Sequence, residues 1–198
     1  MKVHKIEQGS DDWFDCRKGK LTGSHSQAIA VAGKGLDTYI LEVMANVYAE
    51  TREESYTNEA MQRGNEQEAM ARDEYSFQKE VIVEEVGFIE RNEFIGTSPD
   101  GLVGKDGGIE IKSHNHKVFF KLLLDREIDK KYWWQIQMNL LISERKWWDY
   151  VGYNPSFKEK IIVIRVLPDQ EAFKKLEKGF VIGIKRIIKI TKQLNKKV

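Results

Sequence analysis

Ile109-Glu110-Ile111-Lys112 is the stretch that most narrows how this chain can fold. It alternates apolar and charged residues, and a β-strand sends successive side chains to opposite faces. Burying both isoleucines sets the register, and that register aims a carboxylate and an ammonium at one place on the other face. Ser98-Pro99-Asp100-Gly101 comes shortly before, with Asp100 ten residues ahead of Glu110. Asp100 therefore falls at the end of the preceding strand or hairpin, from which it can approach the same face. Each half alone is ordinary, since Pro-Asp-Gly is a common turn and a Glu–Lys cross-pair a common surface feature. In succession they point to a site.

Two converging carboxylates favour a hard divalent cation such as Mg²⁺, which takes oxygen ligands and keeps several waters. The Ile111 carbonyl could supply a third protein oxygen. A lysine beside such a cation can hold and help deprotonate an attacking water, or steady charge on a phosphoryl oxygen. Metal-assisted phosphodiester hydrolysis is the reaction class this implies.

The rest of the chain supplies the frame. Ser10 is placed to cap a short helix ended by Gly19, and residues 24–32 read as a second. Helices over 37–50 (Ile40, Met44 and Val47 on one face) and 58–79 (Met61, Glu68, Arg72 and Tyr75 a turn or two apart) follow. Strands are expected at Val81-Ile82-Val83, Phe88-Ile89 and Phe94-Ile95-Gly96-Thr97, and then through Ile109–Lys112. A helix over 131–143, strands over 147–153 and 160–167, and a long helix after Pro168 complete the order. That last helix carries an apolar stripe of Phe173, Leu176, Phe180, Ile184, Ile187 and Leu194. Helices, strands, helix, strands, helix make an α/β or α+β class with a mixed sheet, read as one domain over 1–198.

Composition narrows the function. At 41% hydrophobic the 198-residue chain is not disordered, and it contains no apolar run of membrane-spanning length. Its N-terminal residues lack a signal-peptide core, so a cytoplasmic protein is expected. Cys16 is the only cysteine, which excludes a disulfide framework, a four-cysteine zinc site and a cysteine-ligated iron–sulfur cluster. The net charge of +1 hides a division: residues 1–100 carry 11 basic and 20 acidic groups, residues 101–198 carry 21 and 11. Such asymmetry fits a basic face for a polyanion concealed in a neutral total.

Pro99-Asp100 followed by Glu110-x-Lys112 is the signature of the PD-(D/E)xK nuclease superfamily, and the likeness extends to its lambda-exonuclease-like branch, the YqaJ-like viral recombinases. Trp13…Arg17-Lys18-Gly19…Thr22-Gly23-Ser24 resembles the N-terminal element of that family. Gly64…Glu68…Arg72…Tyr75 is similar to its helix motif, Tyr132-Trp-Trp-Gln135-Ile-Gln137 to its Tyr-x2-Gln-x-Gln helix, and Tyr150…Tyr153-Asn154-Pro155 to the strand after it. The matched elements run in one order over 13–155.

The resemblance implies a restriction-endonuclease-like core, a mixed central sheet flanked by helices. It implies Asp100, Glu110 and the Ile111 carbonyl as Mg²⁺ ligands (Mn²⁺ substituting), Lys112 acting on the water, and Glu68 as an additional acid. Glu90, with Glu84 and Glu85 as competitors, falls where this branch can carry a further acid. Arg17, Ser24 and Ser98 resemble a pocket for a terminal 5′-phosphate, whose recognition an arginine fork and hydroxyls suit. Helix closure by Arg17 and capping by Ser24 are the plain alternatives. Tyr132 and Gln135, at i and i+3, can reach the site together, and Gln137 points elsewhere.

The implied activity is a 5′→3′ exonuclease on double-stranded DNA that leaves 3′ tails for a single-strand annealing protein, working as a ring-shaped homotrimer in phage-type recombination. An endonuclease on the same core, or a silent DNA-binding module, are the rivals. An end-binding pocket argues against the first and an intact Asp100, Glu110 and Lys112 against the second. His114 and His116 lack further zinc ligands nearby and are expected to touch phosphates or solvent. The Trp133-Trp134 and Trp147-Trp148 pairs are expected in the core rather than as base-stacking platforms, although adjacent residues face different ways and one of each pair could serve another role.

Overall fold

The computed structural model describes residues 1–51 and 59–196, with the side chains of 59–66 excepted. Met61 and Gly64 of the expected helix face and motif lie outside the described side chains. The elements are β1 (Lys2–His4), α1 (Asp11–Arg17), a 3-10 turn (Gly23–His25), α2 (Ser26–Val31), α3 (Lys34–Tyr48), α4 (Glu59–Lys79), β2 (Val83–Glu84), β3 (Phe88–Asn92), β4 (Ile95–Thr97), β5 (Gly101–Val103), β6 (Gly107–Ser113), α5 (His116–Asp125), α6 (Lys130–Ser143), β7 (Trp147–Tyr153), β8 (Ile161–Val166) and α7 (Gln170–Leu194).

Two sheets result, a small one ordered β1-β3-β4 and a main one ordered β2-β5-β6-β7-β8. Within the main sheet only β6 and β7 run parallel, and α5 and α6 form the crossover that a parallel pair requires. The expected alternation holds in β6. Ile109 and Ile111 are buried with Ala71 and Tyr75 of α4 and with Val151 and Tyr153 of β7. Glu110 points to the opposite face, toward α6, and is itself fully buried.

Gly107-Gly108, read as the approach to a strand, lie inside it, opposite Trp147 and Trp148. A Cβ on Gly108 would stand 2.5 Å from the ring of Trp148, which is fully buried and has nowhere to move. Gly108→Ala is therefore expected to destabilise the fold by about 1–3 kcal/mol. For a chain of this size that is a drop of roughly 2–4 °C in Tm per kcal/mol. An unchanged melting curve would show that the strand pair tolerates the methyl group.

Several local readings need correction: Phe94 lies in the turn before β4, and β1 and β5 were not expected as strands. Val81 and Ile82 are not in a strand, because β2 begins only at Val83 and Ile82 is left exposed. Helix α5 was not foreseen at all. Its signal was present: the Asn115 side chain caps it by accepting from Val118 N–H, and Phe119 and Leu122 are its buried face.

Candidate active site

Strand β5 is short. Its last backbone pair with β6 is Gly101 with Ile109, so beyond that point the edge of β6 is open on this side. Asp100, one residue before β5, fills the gap: its Oδ2 accepts from the Ile111 N–H at 2.6 Å. The N–H and C=O of one strand residue leave by the same edge. The Ile111 carbonyl therefore shares that edge with Asp100. Lys112 closes the group, with its Nζ 2.6 Å from Glu110 Oε1 and 3.6 Å from Asp100 Oδ2.

Two carboxylates, one carbonyl and one ammonium thus meet where β5 begins. Among the described residues no three His, Cys, Asp or Glu side chains close into a cage. Such an open set of hard oxygens fits Mg²⁺, which is bound through one or two carboxylates and keeps its remaining waters, and it does not fit zinc.

Glu68 comes from α4, on the other layer. It is held by Arg72, whose Nη2 lies 2.6 Å from Glu68 Oε1, whose Nη1 lies 2.8 Å from Glu85, and whose Nε donates to the Asp100 carbonyl. Arg72 so ties the helix to the strand end, a role its place in the helix motif did not reveal. Burial, then the neighbouring Asp100, push Glu68 up to about 7. The same two causes in the same order push Glu110 up to about 8. Burial alone would lower Lys112, but the Asp100 and Glu110 carboxylates outweigh it and hold its ammonium above the usual lysine range.

These shifts have a sign that can be checked. Both glutamates titrate above their usual 4.5 in the folded chain, so their contribution to stability is fully present below about 4.5 and is lost as pH rises through about 7 and 8. A cation needs the same groups deprotonated. The gain in Tm from Mg²⁺ is therefore expected to grow between pH 6 and about 9, while the metal-free Tm declines. A gain that stays constant across that range would remove these carboxylates from metal binding.

A second cluster lies two residues upstream. Ser98 Oγ accepts from Trp13 Nε1 at 2.9 Å and from Arg17 Nη1 at 3.0 Å, which leaves its own proton for another acceptor. The Arg17 guanidinium stacks on the Trp13 ring at 4.3 Å and reaches toward Thr22 Oγ1 at 3.4 Å. Arg17, Ser24, His25 and Tyr39 line one cleft of about 1010 Å³. Arg17 does end α1, but Ser24 caps nothing: its hydroxyl pairs with His25 Nδ1. The structure thus brings Arg17 and Ser98 into contact and sets Ser24 on the same cleft.

Of the α6 residues, Tyr132 faces the site, its ring centre 5.6 Å from Lys112 Nζ. Gln135 lies against Gly23, where a Cβ would stand 3.5 Å from Gln135 Cγ. Gln137 is buried and bonds the Leu167 carbonyl and the Asp169 N–H, so it anchors the start of α7. Asn139 was missed. It is fully buried and donates to Glu110 Oε2 at 3.0 Å. A buried amide in the apolar run Met138-Asn139-Leu140-Leu141-Ile142 was the available signal.

Several other readings shift. Glu90 is taken up by His4 at 2.8 Å and Lys20 at 3.4 Å on the small sheet, and Glu85 lies nearer the site through Arg72. His114 is half-buried rather than free. Its Nε2 pairs with Tyr150 Oη at 2.6 Å, and burial, then Lys112, lower it to about 4. Trp134 and Trp148 are buried, whereas Trp147 is half-buried under Arg165, which also grips Asp149.

The family model of the YqaJ-like viral recombinase domain matches residues 12–146. The chain belongs to this family. No curated protein matches it. Among solved structures this YqaJ-like chain is similar to an alkaline exonuclease, LHK-Exo, from Laribacter hongkongensis, at 29% identity over 95% of this chain and 97% of that one, with a TM-score of 0.87. The same protein in complex with dAMP gives 29% identity, the same coverage and a TM-score of 0.88. A phage-related exonuclease from Haemophilus somnus 129PT shares the fold, at 15% identity over 88% of this chain and 96% of that one, with a TM-score of 0.65. The YqaJ-like chain is a nuclease of restriction-endonuclease-like fold. No helix among the described residues is long and apolar enough to cross a membrane.

Proposed function

We propose that this chain, acting as one domain over 1–198, is a metal-dependent 5′→3′ exonuclease on linear double-stranded DNA. It starts at 5′-phosphorylated ends and leaves 3′ single-stranded tails. The observation that carries this reading is the meeting of Asp100, Glu110 and Lys112 two residues from an Arg17–Ser98 contact. The alkaline exonuclease at 29% identity supports the DNA substrate and the exonucleolytic mode.

Asp100, Glu110 and the Ile111 carbonyl would hold Mg²⁺, with Mn²⁺ able to substitute. The cation supplies Lewis-acid polarisation of the phosphate and a more acidic water. Lys112, its charge held by both carboxylates, donates hydrogen bonds to the water and to phosphoryl oxygen. Glu68 adds a carboxylate that accepts a proton near neutrality. Tyr132 and Gln135 line the approach. Arg17, Ser98 and Ser24 bind the terminal phosphate, which selects an end and sets the length of each step.

The working form is a homotrimeric ring enclosing the duplex, in the cytoplasm of the host cell, passing its tails to a single-strand annealing protein during phage-type recombination. A surplus of basic residues after Asp100 supports a polyanion path, and Lys185, Lys189 and Lys192 of α7, with Lys196 just past its end, form one exposed stripe. Others are spent on ion pairs, such as Arg186 with Asp37 and Lys146 with Asp106.

Digestion of linear duplex with and without a 5′-phosphate, beside a closed circle, in Mg²⁺, tests the reading. Labelled 5′-nucleotides from the phosphorylated linear substrate are expected, and cutting of the circle would overturn it. Sedimentation as a monomer would remove the ring.

A further inference from the structure

Glu110 makes contacts through both of its oxygens. Oε1 faces Lys112, and Oε2 accepts from Asn139 Nδ2 at 3.0 Å. Asn139 is in turn oriented by Thr97, whose hydroxyl donates to Asn139 Oδ1. Only one orientation of the amide makes both bonds, with the carbonyl to the hydroxyl and the NH₂ to the carboxylate. All three side chains are at most 1% exposed, so water does not compete for these groups. The packing around them is close: a Cβ on Gly23 would stand 2.8 Å from Thr97 Oγ1 and 3.4 Å from Asn139 Oδ1.

We propose that Asn139, oriented by Thr97, is a positioning residue that occupies Glu110 Oε2 and leaves Oε1 alone to bind the cation, and thereby favours Mg²⁺ over Ca²⁺. The inference rests on the metal site proposed above. Its physical basis is the difference in what the two ions accept. Mg²⁺ demands near-ideal octahedral geometry with compact ligands, whereas Ca²⁺ takes six to eight oxygens and accepts a carboxylate through both. The bond from Asn139 holds Oε2 away and opposes the turn that chelation through both oxygens needs. The relay also has a place in the wider site. Thr97, the last residue of β4, immediately precedes Ser98 of the phosphate cluster, so buried bonds link the end of β4 to the proposed metal ligand.

Asn139→Leu keeps the branched outline of the side chain, is somewhat larger, and removes both bonds. Isothermal titration of DNA-free protein with Mg²⁺ and with Ca²⁺ is the test, read beside a melting curve. The expected result is a loss of Mg²⁺ affinity of roughly 10–100-fold, as for other partners of metal ligands. Ca²⁺ affinity should fall less, so the Mg²⁺-to-Ca²⁺ ratio declines. Saturating Mg²⁺ should recover much of the turnover. A lowered Tm with both affinities and their ratio unchanged would overturn the proposal, because packing alone moves stability and not ion preference. Should Asn139→Leu fail to fold, Thr97→Val removes only the bond that orients the amide. A several-fold fall in the ratio supports the role, and an unchanged ratio overturns it. Wild-type protein that binds neither Mg²⁺ nor Mn²⁺ would overturn the metal site itself, an outcome distinct from a wild-type site that binds and an Asn139 variant that matches it.

Discussion

Lys112→Ala is expected to lower the turnover of 5′-phosphorylated linear duplex by roughly 10²–10³-fold, the loss that follows removal of one preorganised donor to a developing negative charge. The reason lies in how the ammonium is placed. It sits 2.6 Å from Glu110 and 3.6 Å from Asp100, at the end of a strand whose isoleucines are buried under α4. The register of β6 sets the direction of its side chain, and the two carboxylates hold the ammonium beside them. The side chain is 24% exposed, so it is shielded without being cut off from a substrate. If Asp100 is the cation ligand proposed above, Asp100→Asn is expected to lose as much or more, because it removes the ligand's charge while keeping the shape of the side chain. Single-turnover nucleotide release, with duplex binding measured separately by fluorescence anisotropy, separates chemistry from affinity. Binding should change little in Lys112→Ala. Release within a few-fold of wild type would take Lys112 out of the reaction.

Arg17→Ala is expected to cost roughly 10–100-fold in kcat/KM on 5′-phosphorylated ends and to leave 5′-hydroxyl ends almost unaffected, as loss of a hydrogen-bonding partner to a charged group predicts. The guanidinium is preorganised by stacking on Trp13 and by its bond to Ser98. A phosphate dianion would find two N–H donors and the Ser98 hydroxyl already aimed. Because Arg17 also packs on Trp13, Arg17→Ala will lower stability somewhat, and Arg17→Lys serves as the control. Lysine keeps the charge but loses the planar fork, so it should restore only part of the discrimination. The ratio of rates on the two kinds of end is the measurement. A ratio equal to wild type in both variants would mean that this cluster does not read the end.

Much of this site was legible before any tertiary information, and for a local reason. Alternation along a strand is decided within a few residues, so Ile109 and Ile111 had to face one way and Glu110 and Lys112 the other. The same holds for the stripe of α7, where Leu176, Phe180 and Ile187 are buried as their spacing requires. The order of motifs from Trp13 to Pro155 added what no single window holds, and it identified the family that the match over 12–146 bears out.

What tertiary structure decided lay between segments. Asn139 is 29 residues from Glu110 and 42 from Thr97, and nothing local says that an amide on α6 meets a carboxylate on β6. Arg72 joins Glu68 and Glu85 to the Asp100 backbone across two layers, and Glu90 is drawn off to Lys20 and to His4 on β1, the one strand of the small sheet that was not expected. Helix α5 buries only Phe119 and Leu122 behind its cap at Asn115, an apolar face too short to stand out within one window of sequence. The sequence by itself determined which residues face together along one element, because backbone periodicity is local. The tertiary structure alone decided which charges become buried neighbours. That depends on which elements the chain brings together, and burial is what turns an ordinary glutamate such as Glu110 into a group that holds its proton up to about 8.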